Sequence, residues 1–259
     1  MASQPAGTGP IALVGSGEYL PVMEPLERAL LAGRPPRFVQ LATAAAPEGV
    51  DSLAYWHELG RVSAQRLGVR QVVVPVVDRV SAEDAELAAL VAGAGLVYLS
   101  GGNPPFLART LRGTRVWAAI ADAWRGGAAL AGCSAGAMAL TSQVPDIRHP
   151  LRDAEEGLGA VPGLSVLPHF DRLAGRLPDV VLTRLSNRPQ GIVAVGIDED
   201  TALVYGLGTD GGDDAHHAHR AHEAGSIADG QWQVVGRQSV WVLAADGRHE
   251  HPSGSRLSL

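Results

Sequence analysis

Short apolar runs alternate with longer stretches of helical period through the first half of the chain. The segments IALV (11–14), FVQLA (38–42), VVVPV (72–76), LVYL (96–99) and AALA (128–131) are almost wholly apolar, the mark of strands buried on both faces. Between them, residues 22–32, 52–67, 82–92 and 116–124 repeat apolar positions at helical spacing. This alternation predicts a three-layer α/β/α fold with a mostly parallel sheet between helices. After about residue 143 the pattern loosens. Residues 165–167, 192–197 and 202–205 then read as further strands, and 231–245 as a C-terminal β-hairpin. Residues 10–259 are expected to form a single domain after a disordered stretch 1–9. Residues 209–230, rich in Gly, Asp and His, read as a surface loop.

Ligands of such sheets bind beyond the carboxyl ends of the strands. The residues standing there are Gly15-Ser16-Gly17-Glu18, Ser100-Gly101-Gly102-Asn103 and Gly132-Cys133-Ser134. The third opens AGCSAGAMAL, residues 131–140, in which a strand candidate meets a helix candidate. A nucleophile elbow needs minimal bulk two residues either side of its nucleophile. Centred on Ser134, those positions are Gly132 and Gly136; centred on Cys133, they are Ala131 and Ala135. The register favours Ser134.

Composition narrows the chemistry. The chain has 259 residues, one cysteine and a formal charge of −6, and all its Lys-plus-Arg count is arginine. Without lysine, Schiff-base chemistry and a P-loop are excluded. A single cysteine allows no intramolecular disulfide and no multi-cysteine metal site. The acidic balance and scattered arginines argue against a nucleic-acid partner. No apolar run is long enough for a membrane span and no secretory signal is visible, so the expected location is the cytoplasm. Leu20 stands where a dinucleotide fingerprint would need its third glycine.

A serine hydroxyl needs a base. Among nine histidines, His169 alone ends an apolar run, at LSVLPHFDR. His216, His217, His219 and His222 crowd the polar segment, where helical spacing would allow metal binding but a polar loop explains them as well. The carboxylate that orients the base is open among Asp198, Glu199 and Asp200, or Asp146, Asp153 and Glu155. For the oxyanion, elbow geometry offers the Ala135 N–H, and the Gly101-Gly102-Asn103 turn offers a second donor at Gly102. Arg172 is a candidate for a substrate carboxylate, Glu18 for an amino terminus, and Asn103 for a further substrate contact.

Gly101-Gly102-Asn103, Gly132-Cys133-Ser134-Ala135-Gly136-Ala137, His169-Phe170 with its following arginine, and GIDEDTA (196–202) together resemble one family. It comprises the serine peptidases that include cyanophycinase and dipeptidase E, and the likeness covers about residues 10–207. The resemblance implies a class I glutamine amidotransferase-like fold, with Ser134 as nucleophile, His169 as base and Glu199 as third member. In dipeptidase E the acid lies shortly after the elbow, which points instead to Asp146 or Asp153. Where cyanophycinases carry Asp-Gln before the histidine, this chain has Leu167 and Pro168.

The expected activity is hydrolysis of an aspartyl or isoaspartyl peptide through an acyl-enzyme, with no cofactor and no metal. The expected partner is a small peptide substrate, with a homodimer left open. The alternatives are a thiol hydrolase using Cys133 and a non-catalytic peptide-binding relative.

Overall fold

The computed structural model describes residues 8–147, 153–174, 191–207, 231–244 and 246–259. Its first half runs β1 (Ile11–Val14), α1 (Glu24–Leu31), β2 (Arg37–Leu41), α2 (Val50–Leu67), β3 (Arg70–Val73), α3 (Arg79–Ala82), α4 (Ala85–Ala89), β4 (Leu96–Leu99), α5 (Pro104–Leu111), α6 (Arg115–Arg125), β5 (Ala129–Cys133) and α7 (Ala135–Leu140). There follow β6 (Gln143–Val144), β7 (Glu155–Glu156), β8 (Leu164–Pro168), α8 (Phe170–Ala174), β9 (Val193–Ile197), β10 (Thr201–Tyr205), β11 (Gln231–Gly236), β12 (Ser239–Ala244), β13 (Gly247–Pro252) and β14 (Arg256–Ser258).

The large sheet has the order β14-β11-β10-β1-β5-β4-β2-β3. Its five strands from β1 to β3 are parallel, and β10, β11 and β14 extend it antiparallel. Alternation within each strand feeds two cores. Ile11 and Leu13 pack with Leu107, Ile120 and Met138 of α5, α6 and α7, whereas Ala12 and Val14 pack with Leu26, Leu30 and Leu67 of α1 and α2. The sheet is thus covered on both faces, the three-layer architecture that the apolar pattern predicts. A smaller sheet, β13-β12-β9-β8, shares the first core through Val166, Val195 and Val240. Among the described residues, no helix is long and apolar enough to cross a membrane.

Three expected boundaries move. The 231–245 hairpin is not one unit: β11 pairs with β10 and β14 of the large sheet, and β12 pairs with β9 and β13 of the small one. The C-terminal hairpin is β12–β13, which doubles back where Ala244 pairs with Gly247. The 82–92 helix is shorter, α4 over Ala85–Ala89, because the Asp84 carboxylate accepts the N–H groups of Glu86 and Leu87 and starts it after α3 has ended at Ala82. Residues 1–7 of the expected disordered stretch lie outside the described residues, but Gly9 is held in place. Its N–H donates to the Trp124 carbonyl, and its carbonyl accepts the Trp124 indole N–H. Residues 209–230, with all four clustered histidines, also lie outside.

Glu27 of α1 is fully buried, accepting the Tyr19 N–H at 3.0 Å and the Ser63 hydroxyl at 2.6 Å. Burial raises its carboxyl above the ordinary range, with nearby Arg66 opposing and Glu18 adding to the rise. Below the unfolded-state pKa, the group is protonated in both states. As pH climbs through the higher folded-state pKa, the unfolded chain is already ionised and the fold loses stability. Glu27→Gln should therefore gain in Tm relative to the wild type as pH rises above about 4 in thermal melts. A difference constant with pH would contradict the assignment.

Candidate active site

β5 ends at Cys133 and α7 begins at Ala135, so Ser134 is the whole turn. Its backbone is left-handed, at φ 50° and ψ −106°, a conformation that costs a non-glycine residue on the order of 1–3 kcal/mol. The turn is pinned by the Ser134 N–H donating to the Val14 carbonyl and the Met138 N–H donating to the Ser134 carbonyl. A Cβ on Gly132 would overlap the Gly136 carbonyl group, and one on Gly136 would overlap the Leu99 carbonyl. Both glycines are therefore sterically required, and they bracket Ser134.

A second strand-to-helix joint stands opposite. β8 ends at Pro168, α8 begins at Phe170, and His169 between them also has positive φ, 51°. The absent side chain of Gly196 in β9 leaves room for the Phe170 ring, which seats α8 against the small sheet. His169 Nε2 lies 3.1 Å from Ser134 Oγ, and Nδ1 lies 2.8 Å from Glu199 Oε1. A carboxylate can only accept, so the imidazole proton belongs on Nδ1. Nε2 is then free to accept the serine proton.

Glu199 sits in the crossover from β9 to β10, which belong to different sheets, rather than in a charged hairpin turn. Its N–H donates to the Asp171 carboxylate, and its carbonyl accepts from the Gln238 side chain and the Thr201 hydroxyl. Its second oxygen, Oε2, is 2.6 Å from Arg172 Nη2. Asp198 points away, accepting the Trp241 indole N–H and the Ser239 N–H.

A cavity of about 720 Å³ opens over these groups. Gly102, Asn103 and Ala135 line it beside Ser134, as do Arg109, Asp146 and Glu155. Ala135 is the first residue of α7, so its N–H has no partner inside the helix. Gly102 has φ 135°, and a Cβ there would overlap the Ala44 carbonyl. Asn103 caps α5, its side-chain oxygen accepting the Phe106 N–H. Asp153 is exposed and is not among the lining residues.

Two expectations need correction. Glu18 does not face the cavity: it is buried beneath the elbow, Oε1 accepting the Gly101 N–H at 3.0 Å and Oε2 accepting the Cys133 thiol at 2.6 Å. It cannot grip a substrate amine from there. The Cys133 thiol is likewise fully buried, and burial, reinforced by Glu18, pushes its pKa well above the ordinary value. A neutral thiol under the sheet is a poor nucleophile, so the geometry disfavours the thiol reading.

The profile of peptidase family S51 matches residues 13–209. The chain belongs to peptidase family S51. Among solved structures, a peptidase from an acI-B1 Actinobacterium is 37% identical, with a TM-score of 0.84 over 99% of each chain. A protein from Listeria monocytogenes EGD-e assigned as a peptidase E is 18% identical and shares the fold, with a TM-score of 0.56 over 77% of this chain and 95% of that one. The search of curated proteins gave no match.

In this S51 peptidase the residues that sequence reasoning missed are supports and walls. Asp171 and Gln238 hold the Glu199 backbone, and Pro104, Pro105, Met138, Pro145, Ile147 and Leu173 give the cavity apolar sides. Asp171 was visible within His169-Phe170-Asp171-Arg172, but Gln238 carried no signal. Leu167, one of the two departures from the cyanophycinase resemblance, is fully buried with Phe170, Ala194 and Leu243. That departure lies in the core, whereas Pro168 lines the cavity.

Proposed function

We propose that this S51 peptidase is a serine peptidase that hydrolyses a short acidic peptide, aspartyl or isoaspartyl in kind, through an acyl-enzyme on Ser134. The observation that carries the reading is the unbroken chain from Ser134 Oγ through His169 to Glu199, ending in the cavity. Ser134 Oγ attacks the scissile carbonyl carbon while His169 Nε2 takes its proton. The oxyanion lies against the N–H groups of Gly102 and Ala135. As the C–N bond breaks, the amine leaves with the proton from Nε2. Water, deprotonated by the same nitrogen, then cleaves the ester and frees the acid.

The cavity volume falls within the range of small-ligand sites. Beside the carboxylates of Asp146, Glu155 and Glu199, its lining carries two arginines, Arg109 and Arg172, that suit an acidic residue. Arg172 already serves Glu199, whereas Arg109, half exposed, pairs with Glu155 at 2.5 Å. Such a pair contributes little, so the guanidinium can turn to a substrate carboxylate.

The test is hydrolysis of aspartyl and isoaspartyl dipeptides, longer peptides and cyanophycin, alongside neutral analogues. Arg109→Met should raise KM for acidic peptides by about 10- to 100-fold, the loss of one charge-assisted hydrogen bond, and leave neutral peptides unaffected. An unchanged ratio between acidic and neutral substrates would overturn the substrate assignment. Cleavage lost from every peptide together would point instead to damage at Ser134.

A further inference from the structure

We propose that Glu18 is a positioning residue that sets the oxyanion hole. The inference rests on Ser134 as nucleophile. The two donors of the hole come from segments far apart in sequence, the turn after β4 and the start of α7. Glu18 joins them. One carboxylate oxygen accepts from Gly101, the residue before Gly102, and the other accepts from Cys133, the residue before Ser134. The fit is close: a Cβ on Gly101 would lie 3.1 Å from Glu18 Oε1 and 3.6 Å from Ser134 Cβ.

The loop that carries Glu18 is itself held on both sides. The Gly15 N–H donates to the Thr201 carbonyl. A side chain on Gly15 would overlap the Asp198 carbonyl, and one on Gly17 the Asp200 carboxylate, so this loop abuts the crossover that holds Glu199. Tyr19, left-handed at φ 66°, donates its N–H to Glu27, accepts from Arg66 through its carbonyl, and bonds Ser100 through its hydroxyl. One short loop after β1 therefore touches both oxyanion segments and the third-member segment.

Around the Glu18 carboxyl stand Cys133 of β5, the Gly101 N–H, Tyr19 and Glu27 on its own side, Tyr98 of β4, and the attraction of His169. Burial raises its pKa, opposed by the bonds from Cys133 and Gly101. What this environment requires is an acceptor of the right length, and it penalises a charge. Glutamine meets the length requirement, its oxygen accepting the Gly101 N–H and its NH₂ donating to the Cys133 sulfur, which can accept where the thiol had donated; aspartate is too short to reach both.

Labelling by a fluorophosphonate tests this without a known substrate. Ser134 Oγ bonds to phosphorus, the P–F bond breaks, fluoride leaves, the proton passes to His169, and the phosphoryl oxygen occupies the oxyanion hole. The second-order labelling rate of Glu18→Gln should stay within about threefold of wild type, whereas Glu18→Asp and Glu18→Ala should fall about 100-fold, each still reaching one label per chain. A wild-type rate in Glu18→Ala would overturn the proposal, as would Glu18→Asp outperforming Glu18→Gln. A reduced end point with an unreduced rate would also overturn it, because it reports lost folded protein. If Glu18→Ala fails to fold, the Gln and Asp pair decides by its order. A wild type that takes no label, or a Ser134→Ala protein that still does, would instead sink the serine reading itself.

Discussion

Ser134→Ala is expected to lower turnover by about 10⁴- to 10⁶-fold, and Cys133→Ala by no more than about tenfold. The adjacent residues lie on opposite sides of the elbow. Ser134 Oγ faces His169 Nε2 at 3.1 Å and lines the cavity, while the Cys133 thiol donates downward to Glu18. In the proposed mechanism, removing the hydroxyl deletes the covalent step. Removing the thiol deletes one buried hydrogen bond and leaves Glu18 its bond from Gly101. Activity measured on the best peptide of the panel separates the two, and a loss confined to Cys133→Ala would contradict the geometry.

Glu199→Gln should cost about 10³- to 10⁴-fold, more than its small change in shape suggests. Glu199 accepts from two donors at once, His169 Nδ1 through Oε1 and Arg172 through Oε2. A glutamine has one acceptor oxygen. Arg172 claims it, because the alternative sets an amide NH₂ against a guanidinium. The NH₂ group then faces Nδ1 and forces the proton to Nε2, where it blocks transfer from Ser134. The double variant Glu199→Gln with Arg172→Ala should therefore recover part of the loss, since the amide can then turn its oxygen to Nδ1. A double variant weaker than Glu199→Gln would refute this account of the pair.

How much of this was readable in the sequence depended on whether a constraint was local. The elbow was readable because Gly132 and Gly136 are demanded by contacts within one turn and its neighbouring strand. His169 was readable because it ends an apolar run, but its left-handed backbone was not. Glu199 could be named only through family resemblance. Three adjacent acids occupy that crossover, and only the packing of two sheets decides that Asp198 turns to Trp241 while Glu199 meets His169.

Glu18 was placed correctly after β1 and given the wrong task. Position after a strand does not say which way a side chain turns, and here the bare backbone of Gly101 draws it under the elbow. The C-terminal strands failed similarly. Residues 231–236 and 239–244 both carry apolar positions suited to pairing with each other, yet each completes a different sheet. The break at Asp84, by contrast, was present in the sequence as a helix cap inside an otherwise continuous pattern.

Which atom becomes covalently modified decides between a serine and a thiol mechanism. Wild-type protein treated with a fluorophosphonate, digested and mapped by mass, should carry a single phosphonyl group on Ser134, and Ser134→Ala should carry none. A label on Cys133, or an unmodified chain after prolonged exposure, would contradict the serine mechanism.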